Sequence, residues 1–455
     1  MLDILPDAAQ VCMDEPQHNR NSRAKASLYA WTFATNALSL VFGMASGILS
    51  SRMLGAQGRG ELAVISYFPS LMATFWPLAI PQALTLFISR GEPPPDEVVA
   101  AGIKLSFGLA LIGAASFSIL VPFFLAPDNQ YLAANASFMC LASAPMVIAS
   151  FLYAISRGRG DFFWVNCAVV IGAAGYPALL VALWAAGWVS PLILACAGQA
   201  TLWLIVVHGI YRFGSRRLFR AVPFSVYKAC LKQGLTYLLP VLAGTAYLMS
   251  DRAILIRTAA MSDIGLYSVA LAITHPLILA GEAFVQIGFV EIAAVPDQKA
   301  SAMLMMRRFQ MLQIVVTGSA LLLMASIPPL VRWGFGRAFE DAIVLAYIMV
   351  PAMAIRTLSR SLDNGLRARG WSRPGTTAGL AALVTLVVLA AALVPALGIT
   401  TFGLALLGAE LVGMVILVRF TRKLLDVTWG SFWGFHRKLA LELWTNFAAM
   451  SARTG

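Results

Sequence analysis

The feature that most constrains this chain is a rhythm of apolar stretches. Twelve of them, each long enough to cross a bilayer, are separated by short polar or Pro/Gly-rich breaks. They run approximately over 27–49, 62–89, 98–122, 131–155, 163–186, 190–211, 234–256, 265–291, 309–331, 338–360, 375–397 and 400–420. A helix needs about 20 apolar residues to cross the hydrocarbon, so twelve spans use up nearly all of the 455 residues. The fold class that follows is an all-α integral membrane protein with about 12 transmembrane helices. Composition agrees: 59% of residues are hydrophobic and 12% charged, roughly half the charged share of an average soluble domain. A single soluble core, a DNA-binding protein and a disordered chain are all excluded on that ground.

An even number of spans puts both termini on one side, and the basic residues choose which. With the N-terminus cytoplasmic, the inside segments carry 27 of the 33 Lys and Arg. The outside segments carry only Arg52, Arg59, Arg252, Arg257, Arg332 and Arg337. The positive-inside rule then predicts N-in, C-in topology. The net charge of +12 needs no nucleic acid to explain it. The basic run 212–233, with Arg216, Arg217, Arg220 and Lys228, reads as a topology anchor that also attracts anionic membrane lipids.

The five cysteines stand singly, without a C-x-x-C pair or histidine cluster, so neither a disulfide framework nor a metal site is expected. The polar segment 1–26 precedes an apolar run too long for a cleaved signal, which reads as a retained first span. No loop is long enough to house a catalytic domain, so the chain is not expected to be an enzyme. In the tail 421–455, Phe432, Phe435, Leu439, Leu443 and Phe447 fall on one helical stripe. That spacing predicts an amphipathic helix on the inner membrane surface.

The chain also repeats itself. Arg52 stands eight residues before Gly60, which opens the next apolar helix, and Arg257 stands eight before Gly265 in the same setting. Arg157-Gly158-Arg159-Gly160 is matched by Arg367-Ala368-Arg369-Gly370. The offsets, 205 and 210 residues, are nearly equal. Two six-helix lobes follow, 27–211 and 234–420, joined by the basic linker 212–233. Each begins inside and has an even number of spans, so they form a parallel pseudo-twofold repeat about an axis along the membrane normal. A central cleft between such lobes is where transporters of this build place substrate.

The residues carry a resemblance. YLMSDRAILIRTAAMSDIGLYSVALAI, across the seventh and eighth spans, resembles a signature of bacterial polysaccharide and O-antigen flippases. These belong to the multidrug/oligosaccharidyl-lipid/polysaccharide exporter superfamily. SSRMLGAQGRGELAVI and IPQALTLFISR are similar to that family's first turn and second helix, and RGRGDFF and LRARGWSRP to its turns after helices four and ten. Two departures stand out: Gln57 followed by Arg59 replaces the usual acidic or glycine position, and the family often has fourteen spans. The resemblance implies a transporter that moves a polyprenyl-pyrophosphate-linked oligosaccharide from the inner to the outer leaflet of the bacterial inner membrane. It implies coupling to a proton or sodium gradient without a bound cofactor. A polysaccharide polymerase and chain-length machinery would be its partners in O-antigen, capsule or exopolysaccharide assembly.

Charges inside the hydrocarbon cost about 2.5–3.5 kcal/mol each on insertion scales, so each needs a partner or a role. Guanidinium binds phosphate oxygens bidentately and keeps its proton. Arg52, Arg252 and Arg257, at the ends of the first and seventh helices, are therefore the candidate pyrophosphate ligands. Arg90, at the inner end of the second helix, is a candidate for receiving the headgroup. The alternative for Arg252 is pairing with Asp251 or Asp263, and for Arg52 and Arg59 it is snorkelling to headgroups. Glu282, deep in the eighth span with His275 and Gln286 on its face, is a candidate ion-coupling residue with Asp251. Its alternative is a structural hydrogen bond. Glu410 reads as packing or a buried pair, and Arg356 and Arg360 read as topology anchors. Pro69, Pro77, Pro81, Pro240 and Pro276 mark places where helices can bend.

Two other functions compete. A small-molecule efflux transporter of the same superfamily would prefer carboxylates in its cleft. A membrane-embedded glycan polymerase would need a large loop with a charged cluster, which the short loops do not supply.

Overall fold

The computed structural model describes residues 17–214, 220–295 and 297–433, and these are helical almost throughout. A helical run covers Gln17–Phe75, which as a straight rod would be about 88 Å long. It is not straight. Gly55 leaves helical geometry (φ 66°, ψ −174°), a conformation glycine adopts without steric cost. Residues 36–44 and 59–70 line the same cavity, so the two limbs fold back antiparallel. We label them α1 (17–54) and α2 (56–90). The remaining helices are α3 (Pro95–Phe124), α4 (Pro127–Gly158), α5 (Phe162–Ala185), α6 (Pro191–Gly214), α7 (Phe224–Thr258) and α8 (Met261–Ala294). They continue with α9 (Gln298–Phe335), α10 (Ala342–Ala368), α11 (Arg373–Leu397) and α12 (Thr400–Leu425).

Ten helices among the described residues are long and apolar enough to cross a membrane. The first contains both α1 and α2, and the 35 residues of α7 are also of crossing length, which gives twelve crossings. The chain is a multi-pass membrane protein. Helix α7 starts ten residues before the expected span, so the connection after α6 is shorter than the sequence implied.

Alternate connections gather at opposite ends of the bundle. The basic end holds the turns near Arg90, Arg157–Asp161 and Arg367–Arg373, and the far end holds the turns near Gly55, Leu125, Ala259 and Gly336. The repeat is visible in three dimensions. At the far end, α2 and α8 cross at Gly60 and Gly265, each 3.2 Å from where a Cβ on the other would stand to its backbone nitrogen. A Cβ on Gly60 would strike the Met261 carbonyl, and one on Gly265 the Ala56 carbonyl. Both contacts are related by the 205-residue offset. At the basic end, Gly160 and Gly370 both have positive φ (73° and 85°). Beside them, Arg159 reaches Asp96 at 3.3 Å and Arg369 donates to the Gln298 carbonyl at 3.0 Å.

The apolar core shows how the lobes meet. One cluster bridges them at the far end, joining Ile65, Phe68 and Leu125 to Leu255, Tyr267 and Phe335. Toward the basic end the cores separate. Leu84, Val99, Leu152 and Trp164 form one with the start of α7 (Val226, Cys230), while Met305, Phe309, Leu366 and Leu417 form another. The lobes thus share one core at the far end, while toward the basic end the cores are separate and, among the described residues, only α7 of the second lobe packs against the first, with Gly234 beside Leu78 and Ile80. Phe432, expected on a membrane-facing stripe, is instead buried edge-on against Phe309 with ring centroids 6.0 Å apart. The other stripe positions, Phe435, Leu439, Leu443 and Phe447, lie outside the described residues.

Helix α2 breaks where the prolines predict. Residues 76–79 leave the helix, with Leu78 and Ala79 at positive φ, and the helix resumes at Ile80 with Pro81 in its first turn. Pro69, Pro240 and Pro276 sit within continuous helix.

Within the second lobe a charge pair is buried in the bundle. Arg356 on α10 donates to Glu410 on α12, with only 5% and 3% of each residue exposed. The Tyr247 hydroxyl donates to the same carboxylate at 2.6 Å, and its ring lies 5.3 Å from the guanidinium carbon. Glu410 is thus the buried pair expected of it, whereas Arg356 is not a topology anchor. The charge that looked surplus in the sequence is consumed by Glu410. Breaking one partner strands the other charge, at a cost of about 3–5 kcal/mol. We expect Arg356→Met to lower the thermal unfolding midpoint in detergent sharply. Arg356→Met combined with Glu410→Leu should recover most of the loss, and a double variant no more stable than the single one would contradict this account.

Candidate functional site

A cavity of about 580 Å³ lies between the lobes, walled by α1, α2 and Tyr176 of α5 on one side and by α7 and α8 on the other. The Gly60–Gly265 crossing closes it at the far end. From there the lining runs toward the basic end, where the lobe cores part, through Asn36 and Ser70 on one wall and His275 and Leu279 on the other.

Two guanidinium groups dominate its chemistry. Arg59 enters from the start of α2 and Arg252 from α7, within electrostatic range of each other. Arg59 Nη1 donates to Ser50 Oγ at 2.9 Å, while its Nε is buried without a hydrogen-bond partner. A buried donor left open costs about 1–3 kcal/mol. The rest of the polar lining is hydroxyl, amide and imidazole: Ser39, Ser66, Ser70 and Ser268, Tyr176 and Tyr267, Asn36 and His275. No carboxylate stands on this wall among the described residues. The arrangement fits an anion that also offers hydroxyl groups.

Of the four arginines singled out in the sequence, the structure brings only Arg252 into the cavity. Arg52 lies at the far end, donating from Nε to the Gly334 carbonyl at 2.5 Å and also to the Trp333 carbonyl. Arg257 donates to the Leu125 carbonyl at 2.7 Å. Both are held by main-chain carbonyls where helices end, a more economical partner than a ligand that comes and goes. Arg90 is exposed in the last turn of α2, at the basic end and off the cavity wall. Arg59, read as a headgroup-snorkelling residue, turns inward instead. The backbone reversal at Gly55 carries it back over α1, a fact hidden while α1 and α2 are read as separate spans.

Asp251 is buried, 3% exposed. It accepts from the Tyr267 hydroxyl at 2.5 Å and from the Arg252 main-chain N–H at 2.7 Å. Tyr267 also lines the cavity, so Asp251 sits one hydrogen bond behind its wall. Glu282 lies on α8, but its side chain and that of Gln286 are outside the described ones. Gly43, read as a helix-packing position, has open space where a Cβ would stand and lines the cavity, while a Cβ on Gly47 would stand 3.8 Å from Phe335.

No protein-family profile and no curated protein matches the chain. Solved structures do. A multidrug resistance MATE family transporter of the MOP superfamily, in an inward-facing conformation, aligns with TM-score 0.69 and 15% identity over 88% of this chain and 98% of its own. The lipid II flippase MurJ, in an inward closed conformation, aligns with TM-score 0.69 and 14% identity over 93% of this chain and 99% of its own. A MOP superfamily transporter from Pyrococcus furiosus, described as having a binding pocket of reverse polarity, aligns with TM-score 0.56 and 14% identity over 88% and 94%. The chain has the fold that these MOP-superfamily transporters share.

Proposed function

We propose that this protein moves an anionic, hydroxyl-rich amphipath across its membrane by alternating access, and that the cargo is a polyprenyl-pyrophosphate-linked oligosaccharide. The observation that carries the reading is the pairing of Arg59 with Arg252 on a cavity wall without a carboxylate among the described residues. A pyrophosphate entering this site would exchange water for guanidinium and serine donors, and the sugar hydroxyls would meet the remaining polar lining. The polyprenyl tail would stay in lipid. The likeness to MurJ, a lipid II flippase, supports a lipid-linked cargo. The equal likeness to a multidrug transporter supports transport generally, but an organic cation would face two positive charges here. With the basic end cytoplasmic, the cavity described above opens inward, and the flipped unit would be delivered to the outer leaflet of a bacterial inner membrane. A polymerase and chain-length machinery would consume it there.

In proteoliposomes carrying a fluorescent lipid-linked oligosaccharide, Arg59→Ala and Arg252→Ala should each slow transfer by about tenfold or more. That is the loss of one charge-assisted hydrogen bond worth about 1.5–3 kcal/mol. Unaltered melting would show that the fold survives, and wild-type transfer rates in both variants would remove the site.

For coupling we propose Asp251, which is linked to the cavity through Tyr267, with Glu282 on the same helix as that tyrosine. Asp251→Asn should abolish the acceleration produced by an imposed proton or sodium gradient while leaving gradient-free transfer in place. Acceleration that persists in full would take Asp251 out of the coupling step.

A further inference from the structure

We propose that Arg52 and Arg257 form a pseudo-symmetric pair of latches that hold the lobes together at the far end, and that alternating access requires both to release. The argument rests on where each guanidinium goes. Arg52 ends the first helix of the first lobe and reaches the Trp333 and Gly334 carbonyls at the end of α9, in the second lobe. Arg257 ends the first helix of the second lobe and reaches the Leu125 carbonyl at the end of α3, in the first lobe. Arg52 and Arg257 are 205 residues apart, and Leu125 and Trp333 are 208 apart. Each lobe's opening helix thus takes hold of the end of the other's third helix.

These carbonyls belong to the last turn of a helix or just past it, where acceptors lack an intrahelical donor and carry the negative end of the helix dipole. A guanidinium is the donor best matched to them. The glycine crossing lies between the two latches, and its backbone contacts persist only while the lobes stay closed. Arg52 and Arg257 are themselves exposed at this end. Opening therefore replaces carbonyl partners with water, and the latches bias the equilibrium without locking it. Asn129 adds a third crossing, donating to the Ile256 carbonyl at 3.4 Å. The inference is independent of what the cavity carries.

The test is a distance between lobes in the absence of any cargo. Gln57 and Ser262 are exposed, repeat-equivalent and at the far end. Spin labels at Gln57→Cys and Ser262→Cys, in the full chain in nanodiscs with its five native cysteines replaced, report closure by pulsed electron resonance. Arg52→Ala and Arg257→Ala should each lower the closed-to-open ratio by about fivefold, with a larger shift in the double variant. Arg52→Lys and Arg257→Lys, which keep the charge but not the fork, should fall between, and they carry the test if an alanine variant does not fold. Gly60→Leu, which drives a side chain into the Met261 carbonyl, shows that the labels register opening. If Gly60→Leu lengthens the distance while the arginine variants leave it unchanged, the latches do not exist. That result would return Arg52 and Arg257 to a role that needs a ligand.

Discussion

A charge in or beside the hydrocarbon must be neutralised, hydrogen-bonded or kept wet, and this requirement sorts five of the described arginines. Arg356 is neutralised by Glu410 and shielded by Tyr247. Arg52 and Arg257 spend their donors on helix-end carbonyls. Arg59, which bonds Ser50 with one Nη and leaves its Nε open, and Arg252 face the cavity between the lobes. The functional reading grows from that remainder. On the proposed reading, a site with two guanidinium groups and no opposing carboxylate on its described wall favours an anion.

The duplication explains the frame in which those groups sit. Gly60 and Gly265 let two helix backbones touch where any side chain would separate them, and they do so on the pseudo-axis, so the contact closes both lobes at once. The cores agree, one shared across the lobes at the far end and two at the basic end, the first of which takes in only the start of α7 from the second lobe. Alternating access by rocking, as proposed, would pivot on this difference between the two ends. What would have to break between the lobes is the apolar cluster shared at the far end, together with the glycine crossing and the arginine–carbonyl contacts there.

Much of this was legible in the sequence. The spans, their number and the repeat follow from hydropathy and from two arginine–glycine spacings, because lipid forces backbone groups into helices and leaves little freedom for anything else. The bend in α2 was marked by Pro77 and Pro81. The choice of site residues was less legible, and the reason is instructive. Repeat equivalence drew attention to Arg52 and Arg257, yet symmetry-related positions here serve the symmetric contact between lobes. The cavity arginines have no counterparts: at an offset of 205 residues, Arg59 corresponds to Ile264 and Arg252 to Gly47. That lack of equivalence was the available signal, since a cargo with one charged end needs an asymmetric site. The Arg356–Glu410 pair was hidden because its members are 54 residues apart and meet only after α10 and α12 pack.

The central claim is that the inter-lobe cavity is an anion site built by Arg59 and Arg252. Calorimetric titration of the purified protein with a water-soluble sugar diphosphate, its uncharged sugar and an organic cation of similar size tests this most directly. The account predicts measurable binding of the diphosphate alone, weakened about tenfold or more in Arg252→Ala, as expected for one charge-assisted contact. Binding of the cation or the neutral sugar as tightly as the diphosphate, or diphosphate binding indifferent to both arginines, would contradict it.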